Sequence, residues 1–284
     1  MLRRTMDPSA DRERPIGVFD SGVGGLTVLR ALLARLPNES TIYLGDTARV
    51  PYGTRSREVV TRYALLCARH LAAQGIKLLV VACNTVSADS LPALAEALPI
   101  PVVGVIEAGA RAAAARTRGG GIAVLGTPAT VASGAYQAAL ARVAPLAHVT
   151  ARACPLFVPL AEEGWVEGDV PRLVAQRYIG DLRRSGADTV LLGCTHYPLL
   201  APMLHRMLGR GVRVVSSGVP VARQVEHVLG SRGLGNPGSD EGEYRFLSSG
   251  DPDALRASGT RFLQLPIGAV EHVALESELA EAPR

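Results

Sequence analysis

Two apolar runs in this chain end in the same way. Leu78-Leu79-Val80-Val81-Ala82 stops at Cys83-Asn84-Thr85, and Thr189-Val190-Leu191-Leu192-Gly193 stops at Cys194-Thr195-His196. A short, continuous apolar run bounded by polar residues predicts a strand buried on both faces of a parallel sheet. In such sheets ligands bind in the crevice at the carboxyl ends of the strands. Each cysteine is therefore expected at the mouth of a site, and the remaining chain must bring the two together.

The flanking pattern fits this reading. Ile16–Phe19 predicts a strand that breaks into Asp20-Ser21-Gly22-Val23-Gly24-Gly25, followed by a helix carrying Leu26, Leu29, Leu32, Leu33 and Leu36. Thr41–Leu44 is a second strand, running into Gly45–Gly53. A helix from about Ser56 to Ala73 follows, with Val60, Tyr63, Cys67 and Leu71 on one face. The Cys83 strand, a helix opened by Asn84 or Thr85, and a strand at Val102–Ile106 complete a strand–helix alternation typical of a helix-covered parallel sheet.

After Gly119-Gly120-Gly121 the cycle restarts. Ile122–Thr127 repeats Ile16–Ser21, a displacement from 16 to 122 of 106 positions; from Cys83 to Cys194 it is 111. Nearly equal displacements predict an internal duplication. The expected fold is α/β, with two pseudo-symmetric domains, each a mostly parallel sheet flanked by helices, and the active site in the cleft between them. Residues 1–14 read as a disordered tail, 15–107 plus 219–275 as the first domain, and 108–218 as the second. Val219–Leu229 reads as a helix, 230–243 as a mobile Gly/Pro-rich loop, and Tyr244–Leu247 as a last strand completing the first sheet.

Composition limits the function. Aromatic residues are only 4% of 284, so packing must rest on Ala, Val and Leu. The net charge of +4 is spread along the chain, with no basic run beyond the first residues, which argues against nucleic acid as a partner. No apolar stretch reaches the roughly 20 residues of a membrane span, and Met1–Arg14 resembles neither a signal peptide nor an anchor. Four cysteines without a Cys-x-x-Cys argue against a disulfide scaffold or a thiolate zinc site, and predict a reducing, cytoplasmic setting.

Each candidate has a plain structural reading beside the functional one. A single buried cysteine is usually a small hydrophobe, the reading that suits Cys67 and Cys154. Cys83 and Cys194, at equivalent strand ends with a helix start behind each, are better read as functional thiols, since a helix start lowers a thiol pKa. Asp20-Ser21-Gly22-Val23-Gly24-Gly25 lacks the spacing of a dinucleotide loop and the Lys of a P-loop. It is either a capped tight turn or a carboxylate placed to hold a substrate ammonium or orient a thiol. His196 is a structural histidine or the partner of Cys194, Glu163 a solvated charge or an auxiliary acid, and Tyr52-Gly53 a turn or part of the site.

Together these motifs carry a resemblance. Asp20–Thr27, Gly45–Gly53, Ala82-Cys83-Asn84-Thr85, Pro155–Leu160 and Gly193-Cys194-Thr195-His196-Tyr197-Pro198-Leu199 resemble the glutamate racemases of the aspartate/glutamate racemase family, over about Pro15–Leu265. The resemblance implies a cofactor-independent isomerase that interconverts L- and D-glutamate and supplies D-glutamate for peptidoglycan. It implies Cys83 and Cys194 as the acid/base pair, with Asp20 beside the first and His196 beside the second. Ser21, Tyr52, Gly53, Asn84, Thr85 and Thr195, with Asp20 and His196, would bind substrate, and Glu163, next to Glu162, matches an auxiliary acidic position. The partner expected is the small-molecule substrate, with a homodimer left open. One departure stands out: Ser216-Ser217-Gly218 has a serine where the family usually has an Asp.

Two thiols suit such a reaction. An amino-acid Cα–H is a very weak acid, and inversion needs a base on one face and an acid on the other. One thiolate and one thiol meet that need, with Asp20 and His196 setting the asymmetry. No Lys lies in a pyridoxal-phosphate context, so positioned donors such as Ser21, Thr85 and Thr195 must stabilise the carbanion. Racemisation of aspartate or another amino acid, a one-cysteine hydrolase or decarboxylase, and a non-catalytic binding protein are the alternatives.

Overall fold

The computed structural model describes residues 8–182 and 184–275. The first four strands are β1 (Ile16–Asp20), β2 (Thr41–Gly45), β3 (Leu78–Val81) and β4 (Val102–Gly104). After them come β5 (Gly121–Gly126), β6 (Val149–Ala153), β7 (Ala187–Gly193), β8 (Arg213–Ser216), β9 (Tyr244–Ser248) and β10 (Val270–His272). They form a six-stranded sheet ordered β10-β9-β2-β1-β3-β4 and a four-stranded sheet ordered β6-β5-β7-β8. Every ladder is parallel. The order β2-β1-β3-β4 recurs as β6-β5-β7-β8, which is the duplication expected from the sequence displacements.

The continuous apolar runs are explained by helices on both faces. Ile16, Val18, Leu78 and Val80 enter one core with the helices Leu26–Arg35 and Gly218–Arg232. Their neighbours Phe19, Leu79 and Val81 point the other way, onto Arg57–Ala73. In the second sheet Leu125, Val190 and Leu192 share one core, while Ile122, Val124 and Leu191 share another. No half of any central strand can be polar, so the strands show runs rather than alternation. Register then places the cysteines: Phe19 pairs with Val81 and Gly126 with Gly193, so Cys194 comes one residue and Cys83 two residues beyond the last paired rung of the two central ladders.

Three expectations need correction. Residues 8–13, read as tail, form a short helix, and residues 1–7 of that tail lie outside the described residues. The helix is tied down through Arg12, whose carbonyl accepts from Lys77 Nζ at 2.5 Å and whose Nε donates to Gly235 O at 2.9 Å. The 230–243 stretch, read as mobile, is likewise held. Asn236 N–H donates to Glu39 Oε1 at 2.9 Å, and Gly242 N–H to Pro37 O at 2.9 Å. Finally, β9 is not the last strand. The helix Pro252–Leu263, capped by Asp251, leads to β10, whose three residues Val270-Glu271-His272 are too few to show a strand pattern. Among the described residues, no helix is long and apolar enough to cross a membrane.

Lys77, just before β3, is ion-paired with Glu39, and both side chains are nearly fully buried. Burial pushes the Lys77 pKa down, and the bond to Glu39 opposes it. Lys77→Met strands the Glu39 carboxylate in the interior, with an expected loss of about 3–5 kcal/mol of unfolding free energy. Urea denaturation checks this, and Lys77→Met/Glu39→Leu should recover most of the loss. If the single and double variants were equally destabilised, the pair would not be the cause.

Candidate active site

The two strand ends open into one cavity of about 340 Å³. Cys83 and Cys194 both line it, as do Ser21, Tyr52, Gly53, Asn84, Thr85, Thr195 and His196. Both thiols are buried. Cys83 directly precedes the helix Asn84–Asp89, and its carbonyl accepts from Ser87 N–H at 2.9 Å. The two halves of the site meet at the glycine-rich turn after β1. A Cβ on Gly24 would stand 2.4 Å from both Thr195 Oγ1 and His196 Nδ1, so only glycine permits this approach. Thr27 Oγ1 donates to Thr195 O at 3.0 Å across the same contact.

Asp20 and Glu163 do not line this cavity. Asp20 is completely buried beneath the turn, where its Oδ2 accepts from Gly22 N–H at 3.0 Å. Burial raises its pKa, opposed by the charge of His196 and by the N–H groups of Gly25 and Gly22. Glu163 lines an apolar depression with Leu156, Pro159 and Trp165. Its neighbour Glu162 reaches the cavity instead, and Glu162 Oε1 meets His196 Nε2 at 2.9 Å. Of the two adjacent glutamates, Glu162 is therefore the one that faces the cavity and contacts His196. One residue's shift at the end of the helix Phe157–Glu162 rotates the side chain by about 100°, which is enough to turn it from cleft to surface.

The two thiols have unlike surroundings. The Cys83 thiol donates to Ser21 Oγ at 3.5 Å, and burial, reinforced by the Asp20 charge, pushes its pKa up to about 12. The lowering expected from a helix start is outweighed, because the following helix has only six residues and a carboxylate lies beneath. Cys194 Sγ stands 3.8 Å from His196 Nδ1. Burial by itself would lower the imidazole pKa, but hydrogen bonds to Cys194 and Glu162 prevail and lift it to about 10. The site therefore pairs a neutral thiol with a sulfur in contact with a cationic imidazole.

The loop after β2 supplies one wall. Asp46, fully buried, accepts from Arg49 Nε at 2.9 Å, from Ser249 Oγ at 2.6 Å and from the Tyr52 hydroxyl. The Tyr52 hydroxyl is thereby turned to Asp46, and Tyr52 and the adjoining Gly53 line the cavity. Against Gly53 lies a cluster of hydroxyls, with Thr85 Oγ1 3.1 Å from Thr127 Oγ1, itself 2.9 Å from Thr130 Oγ1. The sequence motifs single out neither Asp46, Thr127 nor Thr130 as site residues, and they leave the choice between Glu162 and Glu163 open. Thr127 was within reach, since a displacement of 106 sets it on Ser21. A second, larger cavity of about 1000 Å³ is lined by Arg111, Arg116, Arg213 and Arg223 and shares no residue with the cysteine cleft. Among the described residues, no group of three His, Cys, Asp or Glu is arranged to hold a metal ion.

Fold and site together define a class: a duplicated parallel α/β protein whose equivalent strand ends deliver one cysteine each into a shared cleft. The chain belongs to the Asp/Glu/Hydantoin racemase family, whose model matches residues 16–225, and it is an isomerase of the amino-acid racemase type. It is 52% identical over 265 residues to the glutamate racemase of Geobacter metallireducens, spanning 93% of this chain and 98% of the relative. Glutamate racemase from Francisella tularensis, solved with D-glutamate, superposes with a TM-score of 0.87 at 37% identity, covering 94% of this chain and 99% of that one. The Thermus thermophilus glutamate racemase, solved with beta-chloro-D-alanine, gives 0.84 at 47% identity, with 94% and 99% covered.

Proposed function

We propose that this chain interconverts L- and D-glutamate without a cofactor, with Cys83 and Cys194 as the two proton-transfer groups. The observation that carries the proposal is that both thiols line one cavity in opposite electrostatic settings. Relatives similar over nearly the whole chain are glutamate racemases, and the Francisella protein was captured with D-glutamate, which supports glutamate as the substrate. The units bracketing the substrate are residues 15–107 with 219–275, and 108–218.

Ser21, Asn84, Thr85 and Thr195 offer hydroxyl and amide donors for the two substrate carboxylates. Asp20, beneath Ser21, favours the ammonium. One cysteine removes the Cα proton, the carbanion is held by donors already in place, and the other cysteine delivers a proton to the opposite face. In the reverse direction the roles exchange. Glu162, through His196, positions the proton at Cys194. We assign the reaction to supplying D-glutamate for peptidoglycan, in a cytoplasm whose reducing conditions suit four free cysteines.

Polarimetry on purified protein with L- or D-glutamate and no added cofactor tests the reading, with a panel of other amino acids, aspartate first, as controls. Loss of rotation from glutamate well above the panel is expected. In deuterated water the product should carry Cα deuterium before recovered substrate does, because the two faces are served by different thiols. Equal early labelling of substrate and product would sink the two-base assignment.

A further inference from the structure

Tyr136 lies outside every motif that defines the site, yet it touches both of its halves. It opens the helix Ala135–Val143 on the second sheet and is almost fully buried. Its hydroxyl lies 2.6 Å from Asn84 Oδ1, the residue immediately after Cys83. Its ring packs against Gly193, the residue immediately before Cys194, where a Cβ would come within 2.9 Å of a ring carbon. The hydroxyl also lies 3.4 Å from Ser217 Oγ, at the start of the helix through which the chain returns from the second sheet to the first. Burial raises the phenol pKa, so the group is a proton donor across the working pH range.

This geometry fixes the amide of Asn84. A phenol that donates to Oδ1 orients the side chain, and the Nδ2 group is then presented elsewhere. Among the described residues Nδ2 has no hydrogen-bond partner, and Asn84 lines the cysteine cavity. An amide free to rotate would show an acceptor to a substrate carboxylate about half the time. With Tyr136 bound it shows donors only.

We propose that Tyr136 is a positioning residue for substrate binding: its hydroxyl locks the Asn84 amide with its donors toward the substrate carboxylate, from a ring seated against the Cys194 strand end. The proposal rests on Asn84 being a substrate ligand. Deleting a single buried hydrogen bond of this kind corresponds to roughly a three- to tenfold change in an equilibrium.

Steady-state kinetics of Tyr136→Phe, Asn84→Ala and the double variant on both enantiomers test it, alongside thermal melts. Tyr136→Phe keeps the ring against Gly193, so the expected result is a KM for glutamate raised about three- to tenfold with kcat nearly unchanged. Asn84→Ala should raise KM further, and adding Tyr136→Phe to it should change KM no more. Three outcomes overturn the proposal. If Asn84→Ala leaves KM unchanged, Asn84 is not a ligand and the underlying reading of the site fails with it. If Asn84→Ala raises KM but Tyr136→Phe does not, the site reading stands and the positioning role falls. If Tyr136→Phe raises KM by the same factor in both backgrounds, or acts on kcat and melting temperature alone, the tyrosine is structural.

Discussion

Cys83→Ser and Cys194→Ser are each expected to lose at least about 10³-fold in kcat in both directions while remaining folded. A positioned acid or base contributes about 10²- to 10⁴-fold, and a serine hydroxyl is both a far weaker acid than a thiol and a far poorer source of an anion. Oxygen for sulfur is a small change in volume, and each side chain is only 5–6% exposed, so melting temperature should move little. A sharper outcome concerns the surviving thiol. It can still remove a proton from the enantiomer whose Cα–H it faces and return one to the same side. Each variant should therefore exchange the α-proton of one enantiomer with deuterated solvent without inverting it, and the two variants should choose opposite enantiomers. NMR of recovered glutamate reads this directly. Racemisation near the parent rate in either variant would end the two-cysteine proposal.

The alkaline limit of activity should be set by His196 and moved by Glu162. The folded imidazole holds its proton to about pH 10, above its ordinary 6.5. Its charge therefore contributes stability that is complete below about pH 6.5 and is lost as pH rises through about 10. Cys83, raised to about 12, acts in the same direction at still higher pH. In Glu162→Gln the carboxylate that helps hold the imidazole proton is gone, so the alkaline limb of kcat/KM should move to lower pH. The substrate ammonium titrates alike for both proteins, so the displacement between the two profiles is the readout. Coincident profiles would remove Glu162 from the proton path.

His196→Asn should cost about 10²-fold in kcat, unequally in the two directions, because of the two sulfurs the imidazole contacts that of Cys194. Since enantiomers have equal free energy in water, the two kcat/KM values must still fall by one common factor. A difference can appear only in how kcat and KM divide the loss.

Much of the fold was legible because a parallel sheet covered on both faces demands unbroken apolar strands. That demand marked β3 and β7, and the repeated displacement marked the duplication. The short helix at 8–13, the anchored 230–243 stretch and β10 were not legible, since their order comes from distant partners such as Lys77, Glu39 and β9 rather than from local pattern. Within the site, residues on strand ends were found because strand ends are where ligands bind. Tyr136 was missed because it acts through another side chain, Asn84, 52 residues away, and nothing in the local sequence names that partner.

What the sequence by itself determined is that Cys83 and Cys194 end equivalent strands of two similar halves. Periodicity and repetition are properties of the chain alone, so this needed no coordinates. Which sulfur meets the imidazole, which glutamate reaches His196, and that Tyr136 joins both strand ends were decided only in three dimensions. Burial and charge act through space: Asp20 reaches Cys83 from the neighbouring strand, and Glu162 reaches His196 from 34 residues away along the chain.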